Sequence, residues 1–204
     1  MKALFINGSP HKSGTTKRAL EEVKKALLEE GVECEIFDVE ADITGCRACG
    51  FCKKAGRCIK NDGVNSLAEK FEKSDALIIG SPVYYASPNG SLISLLDRLF
   101  HSTSFDKSMK VGAAVVAARR GGLSSSYDVI NKYFGISSMP IAPSRYWNQI
   151  HGQSADDAEL DKEGLATLYE LGKNVAFLIK SIEKGKEIYG LPKKEPKVAT
   201  SFIR

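Results

Sequence analysis

Four cysteines fall within thirteen residues, in the run CRACGFCKKAGRC over 46–58, and the rest of the 204-residue chain holds one more, Cys34. Thiolates are soft ligands, and a compact set of them suits zinc or an iron–sulfur cluster. The gaps between Cys46, Cys49, Cys52 and Cys58 are two, two and five residues. Zinc ribbons separate two C-x-x-C knuckles by a longer connection. Two successive gaps of two instead wrap a chain around a compact cluster, as in bacterial ferredoxin runs. An odd cysteine count argues against a disulfide framework. The spacing therefore leaves a cluster, a zinc ion or free thiols open. Arg47, Lys53, Lys54, Arg57 and Lys60 would offset the charge of thiolate-bound iron; equally, they could be plain solvent-facing cations. Cys34 reads as a small apolar residue at a strand start.

Three other stretches could bind a ligand. GSPHKSGTT, over 8–16, has hydroxyls at Ser9, Ser13, Thr15 and Thr16, a second glycine at Gly14, and His11 and Lys12 to add positive charge. Before a helix, such a loop suits a phosphate, because backbone N–H groups and the helix dipole both favour an anion. It also fits a simple hydroxyl-rich turn with a Ser or Thr cap. Its spacing is neither Walker A nor G-x-G-x-x-G, which disfavours nucleoside triphosphates and the ordinary dinucleotide fingerprint. SPVYYASPNG, over 81–90, stiffens a turn with Pro82 and Pro88 and offers Val83, Tyr84 and Tyr85 as a platform for a flat ring. AARRGGLSSS, over 117–126, brings Arg119, Arg120, Gly121 and Gly122 together, guanidinium groups beside open backbone. A phosphate cradle, an aromatic platform and a cationic wall together describe a site for FMN.

The elements between these stretches must place them at one edge. Short apolar runs predict strands over 3–6, 35–39, 76–80 and 110–118, with a weaker fifth over 139–142 that Pro140 and Pro143 interrupt. Helical periodicity covers 16–30, 64–73, 91–101, 124–134 and 159–183. Alternating strands and helices with apolar strands predict a parallel sheet covered on both faces. The expected architecture is a flavodoxin-like α/β three-layer sandwich, its five-stranded parallel sheet in the order 2-1-3-4-5. Ligands in such sheets bind beyond the carboxyl ends of the strands, near the switch between strands 1 and 3. That rule selects the loops after strands 1, 3 and 4. The expected division is one domain over 1–185, with the cysteine run inserted, and a polar tail over 186–204.

GSPHKSGTT, SPVYYASPNGSLISLLDRLF and ARRGG resemble the NADPH-dependent FMN reductase family of flavodoxin-like proteins. With CRACGFCKKAGRC the resemblance is closest to the iron–sulfur flavoproteins, over residues 1–180, and YWNQIHG at 146–152 is similar to a related subset. The resemblance implies that Ser9, His11, Ser13, Gly14, Thr15 and Thr16 hold the FMN phosphate, with His11 standing where the family often has arginine. It implies that Pro82, Val83, Tyr84 and Tyr85 lie along the isoalloxazine and that Arg119, Arg120, Gly121 and Gly122 form the third flavin loop. It also implies Cys46, Cys49, Cys52 and Cys58 as ligands of a [4Fe–4S] cluster, and a homodimer or homotetramer.

The expected function is an FMN-dependent oxidoreductase that takes electrons from NAD(P)H and passes them to a small-molecule acceptor. The alternative is an electron carrier that receives single electrons from a ferredoxin-like partner through the cluster. A zinc-clipped scaffold without flavin is the third and weakest reading. The bulk numbers agree with a single core: 43% of residues are hydrophobic, and 29 basic against 25 acidic residues make a net charge too mild for nucleic acid. No apolar stretch reaches the ~18 residues of a membrane span, and MKALFING lacks a signal peptide's apolar region. A cytoplasmic protein with reduced thiols is expected.

Overall fold

Strand alternation builds two cores from one sheet. In β1 (Lys2–Asn7), Ala3 and Phe5 face one side and Leu4 and Ile6 the other, and none of the four is exposed. β3 (Ala76–Tyr84) and β5 (Val111–Ala118) repeat the pattern. One face packs on α1 (Thr15–Glu29) and α7 (Lys162–Tyr189), through Leu20, Val23, Leu27, Leu168, Leu171 and Val175. The other packs on α3 (Val64–Glu72), α4 (Gly90–Ser102) and α5 (Leu123–Ile136), through Leu67, Phe71, Leu95, Leu99, Ile130 and Phe134. The structure, a computed structural model, describes residues 1–196, 198 and 200. Among these, no helix is long and apolar enough to cross a membrane.

With β2 (Glu33–Asp38) and β6 (Gln149–His151), the parallel order is β2-β1-β3-β5-β6. Counting parallel strands alone, this is the expected 2-1-3-4-5. The additional strand, β4 (Ser87–Pro88), pairs antiparallel with the end of β3. β1 feeds α1 on one face while β3 feeds α4 on the other, so the sheet's winding reverses between them.

Three details depart from the sequence reading. The fifth strand, expected over 139–142, lies mainly at β6. At Ile141 only a single parallel bridge to Gly112 forms, because Pro140 and Pro143 lack the N–H groups that would extend the ladder. The last helix, expected over 159–183, runs unbroken as α7 from Lys162 past Gly185 to Tyr189, and a short α6 (Ala155–Ala158) that was not expected precedes it. A two-residue hairpin loop joins β3 to β4 where only a turn was expected. Of the tail expected over 186–204, positions 197, 199 and 201–204, with Lys197 among them, lie outside the described residues.

Ile78 sits in the central strand with no exposed surface. Ile78→Ala is expected to lower the unfolding free energy in urea by about 2–5 kcal/mol, the usual range for emptying an aliphatic core site.

Candidate functional site

The loop after β1 starts from a buried amide. Asn7, with no exposed surface, ends β1. Its Nδ2 donates to Asp38 Oδ1 (2.8 Å) and its Oδ1 accepts from Ser9 N (3.2 Å). Ser9 Oγ in turn accepts from His11 N (3.1 Å), so the first half of the loop is pinned residue by residue. The second half runs into α1, whose N-cap is Gly14 with no side-chain cap. The first helical bond is Arg18 N to Gly14 O, which leaves the N–H groups of Thr15, Thr16 and Lys17 without helical acceptors. An uncapped helix N-terminus opening into a cleft is a donor set for an anion.

That cleft has a volume of about 530 Å³, within the roughly 300–1,000 Å³ range of small-molecule sites. Ser9, His11, Ser13, Gly14, Thr15 and Thr16 all line it. From the second loop Pro82, Val83 and Tyr84 reach it, and from the third Arg119 does. Its lining includes His11 and Arg119 but no aspartate or glutamate, so its field favours an anion. Tyr85, Arg120, Gly121 and Gly122, expected at the site, do not line the cleft. Tyr85 is fully exposed at the tip of the β3–β4 hairpin, and Gly122 instead supports that tip. Gly122 has φ +88°, and a Cβ there would come within 2.8 Å of Ala86 Cα. Ser125 Oγ also donates to the Ala86 carbonyl (2.7 Å).

A fourth segment completes the rim. Gly152, Gln153, Ser154 and Ala155, after β6, line the cleft. Thr15 Oγ1 lies 3.2 Å from the Gly152 carbonyl and 3.0 Å from that of Ser154. The Thr15 hydroxyl is thus committed to this loop, and only its backbone N–H remains for a ligand. The sequence signal for this segment was the YWNQIHG stretch that precedes it. Trp147 and Tyr146, at 50% and 53% exposure, stack near each other outside the core.

The hairpin tip carries strain. Tyr85 and Ala86 both have positive φ, 50° and 60°. A two-residue hairpin of this kind normally takes Asn-Gly, because left-handed backbone costs other residues about 1–2 kcal/mol each.

A second cavity, about 280 Å³, is lined by all four clustered cysteines. Cys46 and Cys49 are exposed, and Cys52 and Cys58 partly buried. Among the described residues no three His, Cys, Asp or Glu side chains converge as a single ion would need. All four side chains are thiols, the donor set that either a zinc ion or an iron–sulfur cluster takes. Arg47, Lys53, Lys60 and His101 also line it, with Arg98.

Arg98 was not singled out from sequence. It is 1% exposed and forks onto Asp62 (Nη1–Oδ2 2.5 Å, Nη2–Oδ1 2.7 Å). This pairing holds the Asp62 carboxyl below the usual range and raises the guanidinium's own pKa. The signal was helical phase: Arg98 lies three residues after Leu95 and four before Ser102, on a face that is buried. Cys34, apart from the cluster, is half-buried on the edge strand, and burial pushes its thiol up to about 11.

A doubly wound parallel sheet in this strand order, with a cleft beyond the carboxyl ends of its strands at the switch point, defines the flavodoxin-like class of proteins. Comparison with known proteins narrows this: the chain belongs to the NADPH-dependent FMN reductase family, which matches residues 1–153. It is 34% identical over 193 residues to an iron–sulfur flavoprotein of Methanocaldococcus jannaschii, covering 90% of this chain and all of that one. Among solved structures, RosB with bound 8-demethyl-8-formylriboflavin-5'-phosphate superimposes with a TM-score of 0.70 at 15% identity, over 100% of this chain and 94% of that one. A flavodoxin from the domain Archaea gives 0.61 at 16% identity, over 88% and 99%. At these identities the two structures establish the shared fold.

Two outcomes follow from the geometry. Ala86→Gly is expected to raise the unfolding free energy by about 1 kcal/mol by relieving the left-handed backbone, read from the urea midpoint at unchanged slope. In metal-free, reduced protein at pH 8, iodoacetamide is expected to alkylate Cys46 and Cys49 first and Cys34 last, as peptide mass spectrometry would record.

Proposed function

We propose that the chain binds FMN in the cleft at the switch point and works as an NAD(P)H-dependent flavin oxidoreductase. The observation that carries this reading is the uncapped N-terminus of α1 opening into the same acid-free cleft as Tyr84 and Arg119. The backbone N–H groups of Thr15 and Thr16 and the hydroxyls of Ser13 and Thr16 would hold the phosphate. His11 would add a ring N–H donor and Arg119 positive charge, toward anionic reduced flavin or a nucleotide phosphate. Pro82, Val83 and Tyr84 would flank the ring and keep water from one of its sides. When bound, FMN accepts hydride from a reduced nicotinamide and passes electrons on to an acceptor; the protein orients the partners and tunes the field.

The test uses apoprotein titrated with FMN and with riboflavin. Ser13→Asp puts a carboxylate where the phosphate would lie, and near a helix N-terminus this change does not itself destabilise the fold. FMN affinity is expected to fall at least about tenfold, a cost of ~1.4 kcal/mol, while riboflavin affinity stays put. Wild-type protein that leaves FMN unbound, or a variant that weakens both ligands alike, refutes the phosphate assignment. Bound flavin that neither NADH nor NADPH bleaches refutes the donor assignment.

A second reading is favoured by the four thiols around one cavity and by the name of the Methanocaldococcus relative. Here Cys46, Cys49, Cys52 and Cys58 ligate a [4Fe–4S] cluster, and a ferredoxin-like partner delivers single electrons to it. Anaerobically purified protein would then carry about four iron atoms per chain, with matching acid-labile sulfide. Zinc, or no metal, would reject this reading and leave the flavin reading untouched.

A further inference from the structure

Arg98 is the one buried basic side chain among the described residues. It belongs to α4, the helix that follows the flavin-side hairpin, yet its head group ends at the cysteine cavity. A guanidinium has five N–H groups, and here each has an acceptor. One Nη1 hydrogen meets the Thr44 carbonyl (3.1 Å), and the Asp62 carboxylate takes one from each of Nη1 and Nη2. The remaining two, from Nε and Nη2, converge on Cys58 Sγ at 3.4 and 3.2 Å.

Thr44 precedes the cysteine run and Asp62 follows it, so one side chain ties both ends of the segment to α4. The same face of the helix carries the rest of the approach. Ser91 Oγ donates to the Ala41 carbonyl (3.0 Å), and a methyl group at Gly45 would stand 3.8 Å from Ser94 Oγ. A clamp of this kind needs Thr44 and Asp62 only. It gives no reason to spend two N–H groups on a sulfur. A neutral thiol is a weak acceptor, whereas a thiolate on iron is charged and accepts hydrogen bonds that change the cluster's potential.

We infer that Arg98 is a positioning residue for an iron–sulfur cluster: through its two N–H groups on Cys58 Sγ it holds that ligand and sets the cluster's reduction potential upward, while Asp62 limits the charge the sulfur feels. This rests on the cluster reading given above. Taking up one electron adds one negative charge, shared with the ligand sulfurs. Donors aimed at a sulfur therefore stabilise the reduced form more than the oxidised one. Removing them lowers the potential, and removing the Asp62 counter-charge raises it.

The experiment compares wild type with Arg98→Gln, Arg98→Lys and Asp62→Asn after anaerobic loading with iron and sulfide. Reduction potentials come from a mediated dithionite titration followed by electron paramagnetic resonance, and iron and sulfide are counted per chain. Arg98→Gln is expected to shift the potential negative. Arg98→Lys, which keeps the charge but loses the fork, is expected to shift it less. Asp62→Asn is expected to shift it positive. A purely structural clamp predicts faster loss of iron in all three variants with unchanged potentials in the clusters that remain. That result would overturn the inference and leave the cluster reading standing. A wild-type chain that takes up no iron and sulfide overturns both.

Discussion

The hydrogen bond from Gly8 N–H to the Gly80 carbonyl, at 2.8 Å, is the rung on which the cleft rests. It lies where β1 has just ended and β3 runs on, one residue beyond the last β1–β3 pair, Asn7 and Gly80. A Cβ at Gly8 would come within 2.9 Å of that carbonyl and 2.6 Å of Leu92. No side chain fits there without moving the strand or the first turn of α4. From this rung the chain leaves in opposite directions, into α1 on one face and α4 on the other. The cleft is the space that the divergence leaves open, and the dipole of α1 points into it.

The same edge of the sheet supports the cysteine cavity. The thiol segment follows β2, so it emerges beside the phosphate loop and then lies along α4. α4 consequently serves two neighbourhoods. Its first turn, capped by Asn89 through Leu92 N (3.1 Å), follows directly from the β3–β4 hairpin, with Asn89 N donating to Ser81 Oγ (3.0 Å). Two turns later Arg98 reaches the cysteines; nine residues of helix separate Asn89 from Arg98, a rise of about 14 Å.

Much of this was legible in the sequence because it depends on local pattern. Apolar runs of strand length gave the sheet and its order, and hydroxyls ahead of a helix pointed to the loop that lines the cleft. What escaped depends on contacts distant in the chain. Residues 153–155, beyond the end of YWNQIHG, have no signature of their own; Thr15 ties them to the cleft through the Gly152 and Ser154 carbonyls. The Tyr85-Ala86 hairpin lacks the Asn-Gly that marks such turns, and tertiary contacts to Gly122 and Ser125 impose a backbone its residues do not prefer. Arg120 and Gly121 read as part of a cationic wall, but the turn after β5 carries them out of the cleft and leaves Arg119 alone. Arg98 reads as a surface charge unless its place on the buried helical face is counted. Pro140 made the fifth strand look weak, and the ladder does lapse there and resume at β6.

The Thr15 contact with Gly152 and Ser154 also bears on how the molecule comes into being. The loop after β1 is made first and the loop that meets it at Gly152 and Ser154 is made late, with most of the chain in between. A ribosome-bound chain that has exposed only its first three strands holds the helix N-terminus but lacks the far wall of the pocket. The complete cleft therefore exists only once translation is nearly finished.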